Sequence, residues 1–165
     1  MSPPLFTASQ AISPWTMWRY RRTVTSPTIR QMVSAVVTMV SSTKYNGQLV
    51  FCKHRERETY EVPGGHREAG ETILETAKRE LAEETGAVGY TIRPVCVYSV
   101  TGRTRVNDSD DEELFGMLFF AEVNSFGDIH SEIEKIIFCY ELTDNWTYPQ
   151  IQPKLLKEAA RRGFI

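Results

Sequence analysis

The segment TILETAKRELAEETG, Thr72 to Gly86, constrains its own conformation more tightly than any other part of the chain. Thr72, followed three residues later by Glu75, is a capping box, in which each side chain satisfies a backbone N–H at a helix start. Gly86 stands where a left-handed C-terminal cap is expected, since glycine enters that region without steric cost. The pattern predicts a helix running to about Thr85. At about 100° per residue, Ile73, Leu74, Ala77 and Leu81 form one apolar arc. Glu80, Glu83 and Glu84 share a face whose mean direction lies about 80° from the centre of that arc. Charges meant only for solvent would stand opposite the arc, a position held by Glu75, Lys78, Arg79 and Ala82. The glutamates therefore lie along the seam where the helix meets its packing partner. Like charges one turn apart cost a helix about 0.2–0.5 kcal/mol, a cost that a bound cation reverses. Carboxylates gathered at a seam indicate a site.

The flanking sequence reads mostly as strands. From Ile29, IRQMVSAVVTMV is a buried strand, Asn46-Gly47 is a hairpin signal, and QLVFCKHR returns. TYEV is a short strand ended by Pro63-Gly64-Gly65. After the helix, TIRPVCVYSV and LFGMLFFAEV are strands separated by the polar run TGRTRVNDSDDEE, and IIFCYEL is another. QIQPKLLKEAARRG closes the chain as a helix, with Pro153 in its first turn and Leu155, Leu156, Ala159 and Ala160 on one side. Strands interrupted by one helix and finished by another predict an α/β or α+β sandwich. Residues 1–28, which carry WTMWRYRR, read as an N-terminal arm or extra strand, and 29–165 as one domain.

Composition limits the partners. The chain has 165 residues, enough for one domain with a core. A net charge of −2 gives no global basic field, so no dedicated nucleic-acid partner is expected. Cys52, Cys96 and Cys139 are dispersed in apolar runs, without a CxxC pair, and read as reduced core residues. No apolar run is long enough to span a membrane, and Met1 to Pro14 lacks the pattern of a signal peptide, so a cytoplasmic location is expected.

From Gly65 the chain reads GHREAGETILETAKRELAEETGA: a glycine, five residues, Glu71, seven residues, then Arg79-Glu80-Leu81-Ala82-Glu83-Glu84-Thr85-Gly86-Ala87. This resembles the motif of the Nudix hydrolases at all nine fixed positions over 23 residues. The order of elements from about Ile29 onward is similar to that family's α/β/α sandwich with a mixed β-sheet. The resemblance implies a hydrolase of nucleoside diphosphates linked to another group, with Mg²⁺ or Mn²⁺ as cofactor. It also implies that Glu80, Glu83, Glu84 and the Gly65 carbonyl hold the metal, and that an Arg79–Glu71 ion pair fastens loop to helix.

The residue chemistry agrees with that implication. Glu80, Glu83 and Glu84 offer hard oxygen ligands suited to Mg²⁺, and Gly64 and Gly65 permit a tight loop whose backbone approaches a phosphate or ion. Glu83 or Glu84 can position or deprotonate the attacking water. Some family members use a carboxylate in a loop outside the motif. Asp108, Asp110, Asp111, Glu112 and Glu113 offer one here, and Glu113, nearest the following strand, is the choice. Lys53, Arg55, Arg57 and Arg67 are candidates to meet substrate phosphates. His54, His66 and His130 show no ligand spacing.

For the substrate, a nucleotide, positions 102–105 (Gly-Arg-Thr-Arg) lack the proline and tyrosine that mark ADP-ribose and dinucleoside polyphosphate hydrolases. The EVPGG opening is closer to the MutT-like group, which acts on nucleoside triphosphates, oxidised purine nucleotides included. Phe115, Phe119, Tyr98 and Trp18 are the aromatics available to stack on a base. Competing readings are a Nudix hydrolase of ADP-ribose, dinucleoside polyphosphates or RNA 5′ ends, a non-catalytic nucleotide-binding module, and an isomerase requiring a reactive cysteine.

Overall fold

In the computed structural model, which describes residues 36–101 and 113–165, the first hairpin is formed by β1 (Val36–Tyr45) and β2 (Gln48–His54). Asn46 and Gly47 turn at φ 50° and 80°, and Tyr45 pairs with Gln48. Two positive φ values in a two-residue loop match the right-handed twist of the strands they join. Then come β3 (Tyr60–Glu61), β4 (Gly64–His66), α1 (Ile73–Thr85), β5 (Ala87–Thr101), β6 (Glu113–Phe126), β7 (Ile133–Cys139) and α2 (Gln152–Arg161).

All seven strands belong to one sheet, along the path β3-β2-β1-β6-β5, with β4 also pairing to β1 and β7 to β2. The sheet is mixed: β1 runs parallel to β6, and the remaining named pairs are antiparallel.

Alternation along β6 places the two helices on opposite faces. Met117, Phe119 and Ala121 pack with Ala77 and Leu81 of α1, whereas Leu118 and Phe120 pack with Leu155, Leu156 and Ala159 of α2. Successive side chains of a strand point to opposite faces, so a strand apolar on both sides must be covered twice. The result is the expected α/β/α sandwich. On β5, Val95 and Cys96 are consecutive yet face the same α2-side core, at a register shift between Pro94 and Cys96.

The capping box is present. The Glu75 N–H donates to Thr72 Oγ1, and the Thr72 N–H donates to Glu75 Oε2 at 2.7 Å. Gly86 closes the helix at φ 73°, its N–H donating to the Ala82 carbonyl. A side chain there would also meet the Gly127 carbonyl, with a Cβ 2.6 Å away.

Several expectations are adjusted. Leu74 is 40% exposed, so the buried arc narrows to Ile73, Ala77 and Leu81, the Ile73 side chain packing at its margin. β5 begins at Ala87, directly after the cap, rather than at Thr91, because Gly89 is held by the Ser125 hydroxyl and the pairing with β6 extends to Phe126. β7 covers Ile133–Cys139, where β2 offers partners, and stops short of Leu142. The N-terminal arm, with Trp18, and Asp108, Asp110, Asp111 and Glu112 lie outside the described residues. Among the described residues no helix is long and apolar enough to cross a membrane.

Candidate functional site

Arg79 organises the polar face of α1. Its Nε and one terminal nitrogen donate to the two Glu71 oxygens at 2.7 and 3.1 Å, and the same terminal nitrogen donates to the His66 carbonyl at 3.1 Å. The other terminal nitrogen donates to Glu80 Oε1 at 2.9 Å and Glu83 Oε2 at 3.1 Å. A planar fork of donors suits such multiple recognition of carboxylates. The Arg79 bonds, helped by the Glu68 N–H, pull the Glu71 carboxyl down to about 2, while the guanidinium is pushed up. One arginine thus ties β4, the loop after it and α1 together.

The glutamates differ in environment. Glu83 is the outermost, its side chain 48% exposed, against 12% for Glu80. Burial pushes the Glu80 carboxyl up, opposed by its bond from Arg79. Glu84 is buried, and its Oε2 accepts the Gly64 N–H at 2.9 Å. Burial raises its carboxyl well above the usual range; the Gly64 bond works against this, while Glu80, Glu61 and Glu132 reinforce it. Among the described residues no cation pairs with Glu84.

Glu80 and Glu84 open onto a cleft of about 320 Å³, whereas Glu83 does not line it. One part of its wall is polar, with Glu61, Gly64, Gly65, Glu80, Glu84, Glu132 and Arg57. The rest includes Tyr98, Val100 and Leu114 from the sheet and Tyr148, Ile151 and Gln152 from the start of α2. Gly65 is needed for a reason other than a turn. It sits in β4 opposite Met39, and a Cβ on it would clash with the Glu80 carboxylate. Its missing side chain is the space in which the Glu80 carboxylate lies.

The donor set fits a divalent cation: carboxylate oxygens from Glu80 and Glu84, backbone at Gly65, and a local excess of negative charge with no bonded cation at Glu84. In the present arrangement Glu80 and Glu83 converge on Arg79, and among the described residues no three His, Cys, Asp or Glu side chains meet at ligand spacing.

The phosphate candidates separate. Arg57 lines the cleft, held by both Glu61 oxygens at 3.1 and 3.0 Å. Lys53 is drawn away from the cleft wall into ion pairs with Glu134 at 2.7 Å and Glu58 at 3.5 Å. Arg55 is exposed and Arg67 half-buried, and neither lines the cleft. Glu113 opens β6 but it is Leu114 that lines the cleft. Of the aromatics, Phe119 is buried in the α1-side core, Phe115 packs against that core, and Tyr98 lines the cleft but is itself buried in the α2-side core. Burial raises the Cys52 thiol well above its usual range and the Cys96 thiol to about 11, the opposite of an activated nucleophile.

Sequence reasoning missed Glu61, Glu132, Tyr148 and Gln152. Glu132 precedes β7, whose Ile133 pairs with His54 at the end of β2, and that pairing brings it to the cleft. Its only local signal is the alternation Glu132-Ile133-Glu134 around a buried isoleucine.

A family model described as NUDIX domain matches residues 31–159. Among solved structures, the fold is similar to that of the Bacillus subtilis pyrophosphohydrolase BsRppH (TM-score 0.65, 22% identity, covering 79% of this chain and 85% of that one). It is also similar to the NUDIX domain of Shewanella oneidensis NrtR complexed with ADP ribose (0.58, 14%, 77% and 87%). A third is a MutT NUDIX hydrolase from Burkholderia pseudomallei (0.57, 16%, 74% and 96%). A sequence search of curated proteins returned no match. With the motif, the two-helix sandwich and the family model in agreement over most of its length, the chain belongs to the NUDIX family, as a protein of the Nudix hydrolase type.

Proposed function

We propose that the chain is a Mg²⁺-dependent pyrophosphohydrolase that converts a nucleoside triphosphate, oxidised purine nucleotides such as 8-oxo-dGTP included, to a monophosphate and pyrophosphate. The observation that carries this reading is Glu84, a buried carboxylate without a bonded cation, set among Glu61, Glu80 and Glu132 on the wall of a nucleotide-sized cleft. Glu80, Glu83, Glu84 and the Gly65 carbonyl would hold the ion, with Mn²⁺ a working substitute. When bound, it supplies charge neutralisation at the attacked phosphorus and an acidified water.

The chain's own residues supply the rest. Glu132, the cleft carboxylate outside the motif that Arg57 does not hold, takes the proton of the attacking water, a role for which the motif itself offers Glu83 or Glu84 and the loop before β6 offers Glu113. Glu84, on the cleft wall, and Glu83, farther out on the helix, orient that water. Arg57 meets the departing phosphates by sharing donors now committed to Glu61. Tyr148, half-buried at the cleft, is the aromatic with surface to offer a base. Hydrolysis of ADP-ribose is the second reading, supported by the likeness to the NrtR domain complexed with that ligand.

The test is pyrophosphate and phosphate release with Mg²⁺ across nucleoside triphosphates, 8-oxo-dGTP, ADP-ribose and dinucleoside polyphosphates, with Glu83→Gln as control. Pyrophosphate plus monophosphate from a triphosphate, lost in the variant, is the expected result. Turnover confined to ADP-ribose would replace the substrate, and turnover unchanged in the variant would refute the mechanism.

A further inference from the structure

We infer that Gln152, from the first turn of α2, is a positioning residue for the carboxylate site: it holds the backbone of Val62 and, through the segment Val62–Gly64, sets the amide that Glu84 accepts. The inference rests on the proposed reading of Glu84 as a metal ligand.

The Gln152 side chain is buried, and its amide meets both backbone groups of one residue. The Val62 N–H donates to Gln152 Oε1 at 3.1 Å, and Gln152 Nε2 donates to the Val62 carbonyl at 3.5 Å. A side-chain amide thus does for Val62 what a neighbouring strand would do, across 90 residues of sequence. Val62 is 2% exposed, so water is no substitute partner. The next carbonyl, of Pro63, accepts the Ser41 N–H at 2.8 Å, and the next N–H, of Gly64, goes to Glu84 Oε2 at 2.9 Å. Three successive residues are therefore fixed to three different elements: Val62 to α2, Pro63 to β1 and Gly64 to α1.

Two further observations separate this role from the alternatives. Gln152 lines the cleft, yet both ends of its amide are turned to Val62, which leaves recognition of a substrate to other groups. The helix to which it belongs has no side-chain cap, so its polar group does not serve the start of its own helix. Groups that orient ligand carboxylates are felt in metal affinity, at about 10–100-fold per partner removed.

The experiment is a calorimetric Mn²⁺ titration of the full chain without substrate, run beside the Mg²⁺ dependence of hydrolysis. Gln152→Met should weaken Mn²⁺ binding about tenfold and raise the half-activating Mg²⁺ by a similar factor, with KM for substrate at saturating metal unchanged. Leu156→Ala, which empties a buried position of α2 but supplies neither of the hydrogen bonds to Val62, should lower Tm and leave Mn²⁺ affinity as it is. Should Gln152→Met not fold, Gln152→Asn, whose amide is one methylene short of Val62, is read by the same criteria. Unchanged Mn²⁺ affinity in the Gln152 variant, or an equal loss in Leu156→Ala, overturns the inference. A parent chain that binds no Mn²⁺ would refute the metal reading, and the inference with it.

Discussion

Glu84 on α1 and Glu158 on α2 are both buried helical glutamates, 8% and 5% exposed, and they sit in opposite electrostatic settings. Glu158 accepts from Arg161 at 2.6 and 2.8 Å and from Arg162 at 2.6 Å, and Arg162 also donates to the Val95 carbonyl of β5. Burial pushes its carboxyl up, but the bonds from the two arginines win and leave it below the usual range. Glu84 has one backbone donor and three other carboxylates near it, and it stays well above. Two equally hidden carboxyls thus do different things: Glu158 fastens the end of α2 to the sheet, whereas ionised Glu84 carries a desolvation penalty that protonation relieves and that, on the proposed reading, a bound cation relieves as well. Burial alone does not mark a site; burial without compensation does.

The largest effect that should separate the two is on catalysis. Glu84→Gln is expected to reduce kcat by about 10³-fold, the scale of losing a group that acts at the transition state, while Glu158→Gln stays within about twofold. Steady-state rates at saturating Mg²⁺ check this, and comparable losses in both variants would erase the distinction. Next, Gly65→Ala should cost about 10²-fold in kcat/KM, since its Cβ takes the space of the Glu80 carboxylate and even a small displacement of a catalytic group is expensive. Gly47→Ala, strained by its φ of 80° at a hairpin tip but with nothing near its Cβ, should lose stability and keep kcat/KM, and so is the control for glycine loss away from the site. In stability, Glu158→Gln should lose about 1–3 kcal/mol in denaturant unfolding, because it removes the charge from a buried hydrogen-bonded pair with Arg162. The Arg161 side chain is 54% exposed, so water takes over much of its share.

The smallest effect concerns Arg79. Arg79→Lys keeps the charge but not the fork that reaches Glu71, the His66 carbonyl, Glu80 and Glu83. With Glu71 released, the low pKa of about 2 that Arg79 imposes should return toward the ordinary carboxylate value. A depressed carboxyl contributes stability present above its unfolded pKa and lost as pH falls through the folded one. The parent should therefore keep an advantage over the Lys variant at neutral pH that shrinks between about pH 4.5 and pH 2. Acid titration of both by circular dichroism reads it, and parallel curves would count against the ion pair as a stabilising link.

What the sequence made legible is what is local. Thr72, Glu75 and Gly86 act within a turn of the backbone they cap, and Glu80, Glu83 and Glu84 are placed along one helix by spacing alone, so α1 and the positions of its carboxylates are legible directly, though not that Glu80 and Glu83 turn to Arg79 and Glu84 to Gly64. The two-residue hairpin at Asn46-Gly47 was equally local. The opposite wall of the cleft was not. Glu61, Glu132, Tyr148 and Gln152 meet only because β2 takes β7 as a neighbour and α2 returns to Val62, pairings between residues some 80 to 90 positions apart. The ion pair that occupies Lys53 is hidden from local sequence for the same reason: its partner Glu134 lies 81 residues on. Local sequence presents Gly65 as a loop glycine, while in the fold it lies in β4 and is constrained by the Glu80 side chain fifteen positions later.

The central claim is that Glu84 costs the metal-free protein stability and that a cation reverses this. The measurement is the unfolding free energy of the parent and of Glu84→Gln at pH 5 and pH 8, each with and without Mg²⁺. A carboxyl whose folded pKa is raised binds more protons in the native state, so stability falls as pH rises above the unfolded value. The account predicts that, without metal, Glu84→Gln is the more stable protein and by a wider margin at pH 8 than at pH 5, and that Mg²⁺ stabilises the parent far more than the variant. A metal-free parent as stable as the variant at pH 8, or equal stabilisation of both by Mg²⁺, would contradict it.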